Sequence, residues 1–435
     1  MRLSRIQIIL IAVVLVAVLV VGLVFTCVIP GMRKCGGDVV GYQGELLVWG
    51  VFDSASVMTE TLIADFTLRN PGVAVTYRQL DPRTYETELI NALAAGTGPD
   101  VFMIHNTWLA KHGNKLFPLT SEQYPITELR DTFPEVVEQD LTAGGQVYAL
   151  PLYIDSLALF YNRDILDAAG LARPPQTWND FVSVVPRLRQ LDSFGRLVRA
   201  AGAIGGSATN IDRASDLLSL MMLQYGTTMV NNSRTAATFA NFAQPAVDFY
   251  ASFARPMDGN YTWDAGFTQS VDAFSIGQSA MLFHYGYEIP LLKAKNPFLN
   301  FVVAPMIQAN VSSPVNYASY WALGVSTRTA DPAMAWALVF NSTLNPAAVD
   351  PYLKAAGRSP ALRELIDTYA KSGGEASVFA SQALSATSWY QPNPVVIDSI
   401  FSNLITEVVS GRIPTETALR QAQTRVTELL SGAVQ

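Results

Sequence analysis

From Glu45 to Ile104 the chain alternates strand-like and helix-like segments, and few architectures accept that order. Glu45 to Gly50 is a short apolar run ending at glycine, Val73 to Leu80 alternates apolar and polar residues, and Asp100 to Ile104 is apolar again. Between them, Val57, Leu62, Ile63 and Phe66 recur at helical spacing until Asn70-Pro71-Gly72 stops the pattern, and Tyr85 to Ala95 reads as a second helix. This order predicts a βαβαβ unit around a parallel sheet, hence an α/β fold. Ligands of such sheets bind beyond the carboxyl ends of the strands, so the loops after Trp49 and Ile104 are the first places to look for a site.

The pattern continues downstream. Tyr153 to Asn162 reads as a long central strand, and Thr177 as the N-cap of a helix over Trp178 to Leu191. Ala280 to Tyr285, Phe301 to Pro305 and Ala318 to Ser326 are further strands, and Val395 to Leu430 reads as helices. No repeat and no low-complexity tract interrupts this plan.

Composition then narrows the function. Only 15% of the 435 residues are charged, against about 25% in ordinary soluble domains. Much of the deficit lies between Ile8 and Ile29, a run without charge. As a helix it would extend roughly 33 Å, enough for a hydrocarbon core of about 30 Å. The expected order is therefore a cytoplasmic end at residues 1–7, an uncleaved transmembrane anchor at 8–29 and a Gly-rich tether at 30–44, with lipidation at Cys27 or cleavage as alternatives. No later apolar stretch matches it, which excludes a multi-pass channel. The net charge of −7, with no long Lys/Arg run, argues against nucleic acid as a partner. Cys27 and Cys35 are the two cysteines, so the large domain has neither disulfides nor a thiolate metal site. No P-loop, Gly-x-Ser-x-Gly or His-Glu-x-x-His occurs, and the histidines are His105, His112 and His284. The residues suggest no metal and no cofactor.

Ordered motifs carry a resemblance. Gly145-Gln-Val-Tyr-Ala-Leu-Pro151, continuing to Leu159-Phe-Tyr-Asn-Arg-Asp164, resembles a "G-K-x-Y-A-x-P…L-x-Y-N-K-D" run; Gly96 to Val101 resembles "G-x-x-P-D-V" and Pro174 to Trp178 resembles "P-P-x-T-W". Phe274 to Met281 resembles "F-x-x-G-x-x-A-M" and Gly411 to Leu419 a C-terminal "G-x-x-x-x-E-A-L". In this order the pieces resemble family 1 of the extracellular solute-binding proteins of bacterial ABC importers, the maltose-type sugar binders. The resemblance implies a two-lobe periplasmic-binding-protein-like fold with a hinge, lobe one being 45–152 plus 305–341 and lobe two 153–304 plus 342–435. It implies a binding protein rather than an enzyme, anchored on the extracytoplasmic side of the cell membrane. Such a protein captures a small-molecule ligand, a sugar or oligosaccharide, by hinge closure and delivers it to ABC permease subunits. A ligand sensor feeding a membrane receptor, and a binder of some other solute, are the alternatives.

Sugars present hydroxyl edges and flat C–H faces, so their sites combine carboxylates or amides with aromatic platforms. By position in the resemblance and by chemistry, the candidate ligand contacts are Asp53, Asn106, Trp108, Tyr153, Asp155, Tyr287, Trp321 and Trp389. Core packing is the competing reading for each aromatic. His105 is expected to be structural and Glu288 to face water.

Overall fold

The computed structural model describes residues 44–432. The expected cytoplasmic end, the anchor, all but the last residue of the tether, and Cys27 lie outside the described residues. Among the described residues, no helix is long and apolar enough to cross a membrane.

Two sheets organise the chain, built from β1 (Gly44–Gly50), β2 (Val73–Gln79), β3 (Val101–His105), β4 (Leu150–Pro151), β5 (Ala158–Asn162), β6 (Met281–His284), β7 (Phe301–Ala304) and β8 (Trp321–Val325). The five-stranded sheet runs β2-β1-β3-β8-β4, with β1, β2 and β3 parallel as the alternation predicts and β8 antiparallel to β3 and β4. Val101, Phe102, Met103 and Ile104 of β3 are wholly buried, as a central strand covered on both faces requires. The helical turns from Ala55 to Arg69 begin under the Ser54 hydroxyl, which accepts from the Val57 N–H at 3.3 Å. The helix Tyr85–Ala95 stops at Gly96, whose φ of +73° is left-handed.

The smaller sheet runs β6-β5-β7, antiparallel throughout. Against it packs the helix Trp178–Leu188, whose Thr177 forms a capping box with Asp180. That helix ends three residues earlier than its apolar pattern suggests, because Gln190 and Leu191 pair with the strand at Leu197–Arg199.

The expected long strand from Tyr153 to Asn162 is broken. Leu150 and Pro151 belong to the first sheet and Ala158 to Asn162 to the second, so the intervening residues cross between lobes. Two further crossings lie alongside. Leu157 N–H donates to the Tyr317 carbonyl at 2.9 Å and Ser319 N–H to the Asp155 carbonyl at 3.0 Å. Asn316–Tyr317 pairs in turn with Ala386–Thr387.

These crossings correct the expected lobe boundaries. Ala348, Val349, Tyr352, Leu353 and Ile366 complete the core of the first lobe, although 342–435 was expected in the second. The reason is that the third crossing falls at 386–387, well beyond 342. Met306, Ile307 and Tyr317 lie in the core of the second lobe rather than the first, because the second crossing comes after them. The long helices Pro394–Ser410 and Thr415–Leu430 do pack in the second lobe, through Phe401, Leu404 and Leu419.

Candidate functional site

The carboxyl end of β1 makes an unusual turn. Asp53 N–H donates to the Val51 carbonyl at 2.7 Å, with Phe52 between them at φ +64°. A three-residue turn with positive φ is strained for any residue bearing a Cβ. Phe52 is held there, and its half-buried ring points to the other lobe, where it stacks on Tyr287 with centroids 5.5 Å apart. Asp53 anchors the turn from beneath. It is buried, accepts from the Tyr352 hydroxyl at 2.9 Å and pairs with Arg358 at 3.6 Å. Burial still pushes its carboxyl above the ordinary range, with Arg358 opposing.

Other rings extend the wall begun by Phe52. Trp321, the first residue of β8, lies opposite His105, the last of β3. Its indole meets Trp108 at 5.1 Å, His105 at 5.3 Å, Tyr85 at 5.7 Å and Phe52 at 6.1 Å, all edge to face. Trp108 and Trp321 are half-buried, so each has surface to offer. His105 is bonded at both ring nitrogens, to Thr107 at 2.8 Å and Ser319 at 3.0 Å, and burial pushes it down to about 3, so it stays neutral.

The second lobe answers with Tyr287 and Arg213. Arg213 donates to the Tyr287 hydroxyl and lies over the Tyr285 and Tyr287 rings at 5.8 and 5.6 Å. Asp155, at the first crossing, accepts from the N–H groups of Ser156 at 2.8 Å, Gly286 at 2.9 Å and Tyr287 at 3.2 Å. The turn that carries Tyr287 thus hangs on the hinge carboxylate. Burial pushes Asp155 up to about 6, with those N–H groups pulling the other way.

The sequence-derived candidates therefore separate. Trp108, Tyr287 and Trp321 come together as partly accessible rings at the junction of the lobes. Asp53 and Asp155 lie just behind, with their oxygens occupied. Tyr153 is buried beneath the Arg358 guanidinium, 4.7 Å from it. Asn106 is buried and donates to Asp140 at 2.8 Å, a structural bond that also steadies Tyr320. Trp389 is 4% exposed, packs on Phe401 and donates to the Ser219 hydroxyl at 3.3 Å, inside the second core. Its turn-rich surroundings suggested an exposed platform, and the packing of the helix Pro394–Ser410 closes over it instead. Glu288, expected to face water, is buried.

Phe52 and Arg213 were missed. In the loop after β1 the chemistry of sugar binding points to the acidic Asp53 rather than to Phe52 beside it, and nothing local marks a lone arginine as facing a tyrosine 74 residues away.

The profile of the bacterial extracellular solute-binding proteins matches residues 54–343. The chain belongs to that family. A protein of Deinococcus radiodurans named a probable ABC transporter-binding protein is 32% identical over 96 residues, 22% of each chain. A Brucella abortus relative is 23% identical over 189 residues, 44% of its length. The chain thus spans less than half the length of these relatives. The mannitol-binding protein of Pseudomonas aeruginosa is 22% identical over 80% of both chains. Among solved structures, the cyclic α-maltosyl-1,6-maltose binding protein of Arthrobacter globiformis gives a TM-score of 0.75 at 17% identity, covering 89% of this chain and 99% of that one. The sugar-binding protein MalE of Xanthomonas citri gives 0.73 at 21% identity, covering 89% and 98%. These likenesses establish for this family member the two-lobe α/β fold described above.

Proposed function

We propose that this solute-binding protein captures a sugar or oligosaccharide between its lobes by hinge closure and presents it to the permease of an ABC importer. In this reading the run from Ile8 to Ile29 anchors the chain, with the binding lobes on the extracytoplasmic side. The carrying observation is the aromatic junction itself, Phe52, Trp108 and Trp321 on one lobe and Tyr287 on the other. Rings of this kind offer apolar faces to sugar C–H groups. Arg213 and Ser319, both accessible at this level, offer donors to hydroxyls.

A ligand touching both walls favours the closed state by its differential contacts. Reversing a 1:99 bias takes about 5.5 kcal/mol, within reach of a few hydrogen bonds to charged groups at roughly 1.5–3 kcal/mol each together with ring contact. The names of several relatives point to carbohydrate as the ligand class, among them the maltotriose-binding protein of Pyrococcus abyssi and the diacetylchitobiose binding protein of Streptomyces coelicolor. The test is a thermal-shift screen of the purified full-length chain against mono-, di- and oligosaccharides, sugar alcohols and amino acids. A ligand present at about 100 times its dissociation constant adds roughly 2.7 kcal/mol of stability. A shift with a carbohydrate that disappears in Trp321→Ala supports the proposal. Shifts confined to amino acids, or to no compound in the screen, refute it.

A further inference from the structure

We propose that Asp212, His284 and Glu288 form a divalent-cation site on the second-lobe wall of the cleft, suited to a metal such as zinc that takes mixed nitrogen and oxygen donors. One donor atom from each lies within 4.8 Å of the others. His284 Nε2 is 2.8 Å from Asp212 Oδ2 and 3.9 Å from Glu288 Oε2. Zinc–ligand bonds of about 2.0–2.2 Å put neighbouring donors of a tetrahedral site about 3.3 Å apart. The present spacings bracket that value, so rotamer adjustments suffice to close the set on a metal.

The backbone positions the donors well. His284 ends β6 and Glu288 begins the helix Glu288–Lys295, so one short turn supplies two ligands from regular elements. Asp212 comes from the loop before the helix Ala214–Gln224, where Ser270 Oγ accepts from its N–H at 3.1 Å. Asp212 is the exposed member, which leaves a coordination position open to water or to an oxygen of a bound solute.

A second, independent observation concerns Glu288. The residue is 7% exposed, yet among the described residues its carboxylate has no hydrogen-bond partner. The other buried acids nearby are satisfied, Asp53 by Tyr352 and Arg358, Asp155 by backbone N–H groups. Burial and the neighbouring Asp212 push this carboxyl up to about 7, so its charged form is costly here, and it faces the His284 nitrogen at 3.9 Å. A cation between them removes the penalty.

The surrounding charges permit it. Arg213 brings its positive charge near all three donors, but Asp216 faces that guanidinium together with Asp212, and Lys295 is paired with Asp272. Burial favours the neutral imidazole at His284, the form that binds metal. With metal on Nε2 the ring proton sits on Nδ1, which is buried and has no hydrogen-bond partner among the described residues. The His284 ring stands edge-on to Tyr287 at 5.2 Å, so an occupied site would stiffen the ring that meets Phe52.

The test is calorimetric titration of zinc chloride into EDTA-treated full-length chain, comparing wild type with Asp212→Asn, Glu288→Gln and His284→Gln. Cysteine thiolates are zinc ligands in general, and the chain carries Cys27 and Cys35, so the comparison between variants is the informative quantity. The site predicts that Asp212→Asn and Glu288→Gln each weaken one binding event tenfold or more while circular dichroism and melting of the zinc-free chain show an intact fold. Asp212 is exposed, so its variant keeps the test open if substitution of buried His284 disturbs folding. Wild type that takes up no zinc, or variants that take it up as wild type does, would overturn the proposal.

Discussion

Phe52 of the first lobe stacks on Tyr287 of the second, with planes inclined by 23°, and each ring is held by a carboxylate behind it. Asp53 pins the turn that carries Phe52, and Asp155 pins the turn that carries Tyr287. The two walls of the cleft therefore share one device, a buried acid fixing a backbone turn so that an aromatic side chain is presented at the junction.

The turn at Phe52 gives a prediction that separates ring from backbone. Phe52→Ala removes the ring and keeps the left-handed strain, whereas Phe52→Gly removes both. Residues other than glycine in such regions carry about 1–3 kcal/mol of strain. Phe52→Gly is expected to unfold at higher urea than Phe52→Ala by about 1 kcal/mol, and both variants to lose ligand-induced stabilisation alike. Equal urea midpoints would show that the turn relaxes in solution.

Tyr352→Phe tests the anchor. The hydroxyl donates to a buried Asp53 whose ion pair with Arg358 is long, at 3.6 Å. Loss of a hydrogen bond to a charged group costs about 1.5–3 kcal/mol, so the variant should fall by that amount in urea unfolding. Ligand affinity should fall with it, because the Phe52 turn loosens. A stability loss with unchanged affinity would show that Asp53 does not govern the ring above it.

Asp140 carries a pH dependence. It receives hydrogen bonds from Ser388 of the third crossing and from Asn106 and Tyr320 of the first lobe, with Arg234 of the second lobe nearby. Gln139 beside it donates to the Ser388 carbonyl at 2.8 Å and accepts from Arg234 at 3.1 Å. Burial pushes Asp140 up to about 6 from an unfolded value of 3.8, the hydrogen bonds and Arg234 opposing. Between those values the folded chain holds a proton that the unfolded chain has lost. The contribution of Asp140 is therefore greatest below about pH 4 and declines as pH rises toward about 6. Relative to wild type, Asp140→Asn should gain stability as pH is raised from 4 to 7, read as the difference between denaturant midpoints. A difference that does not change with pH would place the carboxyl in the ordinary range.

How much of this was readable beforehand follows from the range of each signal. Local periodicity and the motif order show β1 to β3, the Thr177 cap and the two-lobe plan, because each is written within a few neighbouring residues. The lobe boundaries were not readable. The helices Pro346–Ala356 and Arg363–Ser372 are amphipathic in a way that suits either core, and only the position of the third crossing assigns them. The site divides along the same line. Trp108 and Trp321 follow from their places at the ends of strands, whereas Phe52 depends on a backbone angle and Arg213 on a partner in another element. Asn106 and Trp389 have the right chemistry for sugar contact, but neighbours distant in sequence had already engaged their polar groups.

Trp389 and Trp321 share the chemistry of a sugar platform, and the structure gives them opposite surroundings. Trp389→Phe leaves the buried Ser219 hydroxyl without its donor and opens space beside Phe401. That should cost about 1–3 kcal/mol in urea unfolding and leave ligand affinity unchanged. Trp321→Ala removes a half-buried ring that touches Phe52, Trp108, Tyr85 and His105. It should abolish the ligand-induced thermal shift, and its stability loss should be the smaller of the two relative to the ring area removed. Affinity lost in Trp389→Phe and kept in Trp321→Ala would move the binding surface out of the aromatic junction and into the second lobe.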